Sequence, residues 1–167
     1  MFAPRTFATG LVQYTFRSLG TFNYRVWAAG AFVSNIGTWM QRTATAWLVY
    51  RLTQSPEILG SVDFAGQIAG VLLIPLAGVY LDRWNRYRVI LWTQVLSMFQ
   101  ALVLTALVFG GMITIWHIVV LTMLLGIINA VDMPARQAFV SQLVADKADL
   151  PNAIALNSAL FNGARII

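Results

Sequence analysis

Residues 78 to 90 read GVYLDRWNRYRVI, and four charges, Asp82, Arg83, Arg86 and Arg88, fall within seven of those positions. In a soluble protein such a run is a solvated loop. Here an apolar stretch lies on each side, long enough to cross a hydrocarbon core of about 30 Å. The segment therefore reads as a tight membrane hairpin whose charges stay at one surface, and the orientation of the other segments follows from it.

Composition points the same way. The chain of 167 residues is 59% hydrophobic and 10% charged, with a mean hydropathy of +0.71. Soluble domains average about 45 to 50% apolar and about 25% charged residues, so this is an integral membrane protein of the all-α, polytopic class. The formal charge of +5 is not the footprint of nucleic-acid binding, because the basic residues sit singly at the ends of apolar runs rather than in a stripe. There is no cysteine and one histidine, His117, beside Trp116 at the edge of an apolar run. That inventory leaves no disulfide framework, no metal site, no call for a cofactor, and no Ser/His or Cys/His pair for an enzyme.

Outward from the hairpin, periodicity and length predict five spanning helices, at about 26–50, 58–81, 89–109, 115–131 and 150–167. Residues 1–21 carry Arg5 and Arg17 without an acid and read as a basic tail, cytoplasmic or interfacial. Residues 22–167 then form the membrane bundle. Pro56 stands near the start of the second helix and Pro75 inside it. Gly110-Gly111 makes the turn before the fourth helix, and 130–149 reads as a long polar connection. With the N-terminus cytoplasmic, that side collects Arg5, Arg17, Arg25, Arg83, Arg86, Arg88, Arg136 and Lys147, against Arg51 alone on the other. By the positive-inside rule the hairpin faces the cytoplasm.

The first helix is polar along one face. Asn35, Thr38, Arg42 and Thr45 recur at spacings of three, four and three, which aligns them on a side suited to a bundle interior or a water-filled cavity. Small-xxx-small pairs, Gly30 with Ser34 and Gly66 with Gly70, mark places of close helix approach. Arg42 precedes Arg51 by nine residues and Asp63 follows Glu57 by six. Helix rise puts them about 13 Å and about 9 Å below the outer surface. Similar depth on consecutive antiparallel helices predicts an ion pair, either lining a transport pathway or purely structural; snorkelling of each charge alone is the third reading. Asn157, Ser158 and Arg165 share a broad face of the fifth helix, either a second polar patch in a cavity or a packing contact.

The hairpin resembles the signature loop of the major facilitator superfamily, Gly-x-x-x-Asp-Arg-x-Gly-Arg-Arg/Lys-x-x-Leu/Ile, through Gly78, Asp82, Arg83, Arg86 and Ile90. Asn85 stands in place of the central glycine, as the residue next most tolerant of a left-handed turn. Tyr87 takes a basic position, and Arg88 supplies that charge one residue later. NIGTWMQRTATAWLVYRLTQSP, DMPARQAFVSQLV and LPNAIALNSALFNGARII are similar to the bacterial enterobactin-exporter-like branch of that superfamily.

The resemblance implies an incomplete N-terminal six-helix bundle, five helices of an expected twelve, in the bacterial inner membrane. It implies a secondary transporter that exports a small amphipathic molecule or siderophore by alternating access, with lipid, the substrate and a missing C-terminal half as partners. The alternative is a truncated, non-transporting membrane protein that serves only as an interaction partner. The resemblance also implies that Gly78, Asp82, Arg83, Arg86 and Arg88, joined by Asp132 and Arg136, latch the two halves at the cytoplasmic side; a charge cluster that only sets topology is the competing reading. An Arg-x-x-Gln-Gly element common in the fourth helix of proton-coupled exporters is absent, with Thr122 and Leu125 at its Arg and Gln positions. Asp63 remains the acid well inside a predicted helix and the candidate for coupling.

Overall fold

The computed structural model describes residues 20–81, 83–144 and 150–166. The described residues form five α-helices and no strand: α1 (Phe22–Thr53), α2 (Pro56–Leu81), α3 (Arg86–Phe109), α4 (Ile115–Leu143) and α5 (Leu150–Gly163). Three of them carry stretches long and apolar enough to cross a membrane, Pro56–Pro75 in α2, Arg86–Phe109 in α3 and Ile115–Leu143 in α4. With 32 residues, about 48 Å of helix, α1 has the length of a span, but its polar face lowers its hydropathy below that of the other three. At 14 residues α5 is shorter than a span.

Local chemistry sets the helix ends. The carbonyl of Thr21 accepts from Arg25 N at 3.0 Å and opens α1, four residues before the expected start at 26. Gln54 ends it in the left-handed region at φ 51°, with its N–H on the Tyr50 carbonyl at 2.8 Å. Ser55 then caps α2 through its hydroxyl on Ile58 N at 3.4 Å, and Pro56 occupies the first helical position, where its missing N–H has no helical partner to lose. Asn85 caps α3 by accepting from Arg88 N at 3.2 Å. Its backbone is extended, φ −69° and ψ 108°, so the left-handed turn expected for Asn85 is not what this residue supplies. It is favoured as an N-cap acceptor.

At the far end of α3, Gly111 lies at φ 67°, Met112 N donates to Leu107 O at 3.0 Å and Gly111 N to Val108 O at 3.1 Å. This is a Schellman closure, which requires the left-handed residue that glycine accepts without penalty. Thr114 and His117 cap α4 reciprocally: Thr114 N donates to His117 Nδ1 at 3.3 Å and His117 N to Thr114 Oγ1 at 3.5 Å.

The polar connection expected over 130–149 is largely helical. α4 continues through Pro134 to Leu143, because its continuation has an apolar stripe to bury. Val131 and Ala135 pack with Leu81, Val89 and Ile90, which outweighs the hydrogen bond that Pro134 withholds from the helix. At the other end of the chain the expected helix to 167 stops at Gly163. Arg165 N bonds Asn162 O and Ile166 N bonds Gly163 O in tightened turns.

The residues group into two compact units, Met1–Met40 with Phe139–Ile167, and Gln41–Ala138. In the first, Tyr24, Ala28, Val140 and Ala153 form the core, and the Tyr24 hydroxyl donates to the Ala153 carbonyl at 3.0 Å. A Cβ on Gly30 would meet no atom within 4 Å, so of the pair Gly30 and Ser34 the glycine makes no close approach among the described residues.

In the second unit, Val49, Val62 and Ile118 tie α1, α2 and α4 together. Gly66 and Gly70 meet Gly126 of α4 backbone to backbone. A Cβ on Gly66 would fall 2.6 Å from Thr122 Cγ2, one on Gly70 would fall 3.1 Å from the Gly126 carbonyl, and one on Gly126 would overlap the Gly66 carbonyl. Small residues permit this approach where packing alone must hold helices in lipid. Gly126→Ala is expected to lower stability by about 1 to 3 kcal/mol through overpacking. Gly30→Ala, in open space on a helix, is expected to be neutral or to add up to about 1 kcal/mol. Unfolding midpoints in detergent micelles compare the two.

Candidate functional site

Three polar assemblies lie within the unit Gln41–Ala138. In the first, Arg42 of α1 meets Asp63 of α2, with Nη2 at 3.0 Å from Oδ1 and 3.2 Å from Oδ2. Gln67, one turn further along α2, donates from Nε2 to Asp63 Oδ2 at 2.8 Å. Both charged side chains are about half exposed, 52% and 47%. An ion pair of that exposure adds at most about 1 kcal/mol in water. In the hydrocarbon region the alternative is an isolated charge at about 2.5 to 3.5 kcal/mol on the insertion scale, which favours keeping the partners together.

The second assembly lies at the hairpin end of the unit. Asp132 is buried, receives the Thr93 hydroxyl of α3 on Oδ1 and the Arg136 guanidinium, one turn on along α4, on Oδ2. Side-chain exposure is only 16% for Arg136 and 12% for Asp132. Arg86, at the start of α3, donates from Nη1 to the Ala138 carbonyl at 3.5 Å. The continuation of α4 to Leu143 makes this cluster, since it puts Asp132 and Arg136 on one face at a spacing of four.

Arg83 and Arg88 are exposed, and Gly78 has no atom within 4 Å of where a Cβ would stand among the described residues. Asp82, the acid of the signature loop, lies outside the described residues. Of the expected latch set, Arg86, Asp132 and Arg136 thus gather where α3 faces α4.

The third assembly was not foreseen. Gln100 of α3 is 1% exposed, accepts from Gln41 Nε2 of α1 at 2.8 Å and donates from its own Nε2 to the Leu121 carbonyl of α4 at 3.2 Å. Thr93 was likewise missed. The available signal was Thr93, Ser97 and Gln100 at spacings of four and three in a mostly apolar span, which puts them on one helix face.

The remaining candidates belong to the other unit. Asn35 is half-buried, and Thr38 turns its hydroxyl back to the Ser34 carbonyl at 3.0 Å. Asn157 is half-buried in α5. Arg165 does not sit deep in a helix as expected. It lies beyond the end of α5, exposed, with its guanidinium 5.1 Å from the ring centre of Trp39, which meets Phe161 edge-on at 5.9 Å.

Helices long and apolar enough to cross a membrane, turning charges and carboxamides toward one another, make this a multi-pass membrane protein. The family described as transmembrane secretion effector matches residues 13–167, and the chain belongs to that family, within the major facilitator superfamily. A staphyloferrin A transporter of Staphylococcus aureus (strain NCTC 8325 / PS 47) is 28% identical over 140 residues, which cover 83% of this chain and 35% of that protein. The chain therefore spans about a third of the length of the curated relative it matches. No solved structure matches it.

The two acids differ in what they hold. Asp132→Asn removes the charge from a buried pair and is expected to cost about 3 kcal/mol. Asp63→Asn, in a half-exposed pair, is expected to cost about 1 kcal/mol or less. Denaturant unfolding in detergent gives the order directly.

Proposed function

We propose that this chain is the substrate-handling part of a secondary transporter that exports a small amphipathic molecule or a siderophore by alternating access. Membership of the transmembrane secretion effector family carries the reading, and the similarity to a staphyloferrin A transporter favours a siderophore-type substrate. The Arg42–Asp63 pair serves as the substrate or coupling site. Two charges within spanning helices face a pathway or a bundle interior rather than lipid, and a half-exposed pair can exchange partners where a buried one cannot. Asn35, Thr38 and Asn157, polar residues of the other unit, are further candidates for contact with the substrate.

The N-terminus faces the cytoplasm, as the eight-to-one distribution of basic residues supports. On that side Gly78, Asp82, Arg83, Arg86, Arg88, Asp132 and Arg136 form a latch. It engages a second six-helix half, because in this kind of fold the substrate site lies between two halves that rock against each other. The packing of Leu81, Val89 and Ala135 supports a latch braced on α4.

The test is export of a siderophore from cells producing the transporter with this chain and its complementary half. Arg42→Gln or Asp63→Asn is expected to lower the export rate by about tenfold or more, the loss of about 1.4 kcal/mol of differential stabilisation. The exchanged pair, Arg42→Asp with Asp63→Arg, is expected to recover part of it. Full export by both single variants would remove the pair from the site.

A further inference from the structure

The Arg42–Asp63 pair joins two helices, yet nothing in the pair itself sets the rotation of α1 that turns Arg42 toward α2. The apolar cluster of Val49, Val62 and Ile118 holds α1 at its spacing from α2 and α4. Apolar contact is non-directional, however, and Val49 lies seven residues, about 10 Å, further along the helix. A directional contact is made at the neighbouring residue. Gln41 donates to Gln100 at 2.8 Å, and Gln100 donates onward to the Leu121 carbonyl at 3.2 Å. Gln100 is almost wholly buried, so its carboxamide has no water to turn to and is held by α1 on one side and α4 on the other. Successive residues on a helix point about 100° apart. Pinning Gln41 toward α3 therefore directs Arg42 to a different side of α1, where Asp63 stands.

We infer that Gln100, acting through Gln41, is a positioning residue that sets the rotation of α1 and so aims Arg42 at Asp63. Its relevance to transport rests on the reading of that pair given above. The measurement itself needs no substrate, so its failure is distinguishable from failure of the transport reading.

The experiment is a double-mutant cycle of Arg42→Gln and Asp63→Asn, read as the coupling factor in the unfolding equilibrium constant of the full chain in detergent micelles. It is run in two backgrounds, the unaltered chain and Gln41→Leu/Gln100→Leu. The leucine pair replaces both carboxamides by apolar groups of similar size and leaves no amide buried without its partner. A coupling factor of about 1.5 to 5 is expected in the unaltered chain, falling to about 1 in the double-leucine background while helix content and unfolding midpoint are kept. A merely structural role would let coupling recover along with stability. An unchanged factor in that background, or a factor of 1 already in the unaltered chain, overturns the proposal. Should the leucine pair not fold, Gln41→Asn, which shortens the donor by one methylene, takes its place with the same two outcomes.

Discussion

Inside hydrocarbon a polar group has only other parts of the protein to bond, and the unit Gln41–Ala138 is organised by that constraint. Lipid tails are as apolar as leucine, so burying leucines does little to choose one helix arrangement over another. Polar groups do choose. Gln41 with Gln100, Thr93 with Asp132 and Arg42 with Asp63 each join two different helices. No buried side-chain nitrogen or oxygen among the described residues lacks a partner. The close approach at Gly66, Gly70 and Gly126 complements these bonds, bringing α2 against α4 without a side chain between them.

Within this frame the two acids have opposite surroundings. Asp132 is buried, takes a hydroxyl and a guanidinium, and sits where α4 has apolar neighbours to bury. Asp63 is half exposed, with Arg42 and Gln67 as its partners. A buried pair that loses one member leaves a charge stranded, which makes it a fastening. A half-exposed pair is screened wherever water reaches it, and there the loss of one member costs less. The same residue chemistry thus stands in two environments, and burial sets what each pair is worth.

Much of this was legible from pattern. The charge knot at 78–90 located a hairpin, the apolar runs located α2 and α3, and matching depth from the turn at 51–57 brought Arg42 to Asp63. The misreadings share a cause. Pro134 and the charges around it read as a loop because local propensity disfavours a helix there, and only packing of Val131 and Ala135 against the hairpin helices reverses that. Asn85 stood where a glycine was expected, so a left-handed turn was assumed. Its side chain instead caps α3.

The amino-acid sequence by itself determined that this is a multi-pass helical membrane protein, and it carried the signature loop of its superfamily. Both follow from quantities local in the chain: length of apolar run, spacing of charge, and identity of residues in one turn. Beyond Arg42 with Asp63 and the local Asp132–Arg136 pair, which polar groups meet was decided by tertiary structure alone. Gln100 and Leu121 are 21 residues apart, Thr93 and Asp132 39, and Gln41 and Gln100 59. A hydrogen bond across such distances exists only after the helices have taken a particular rotation, and no local spacing encodes rotation.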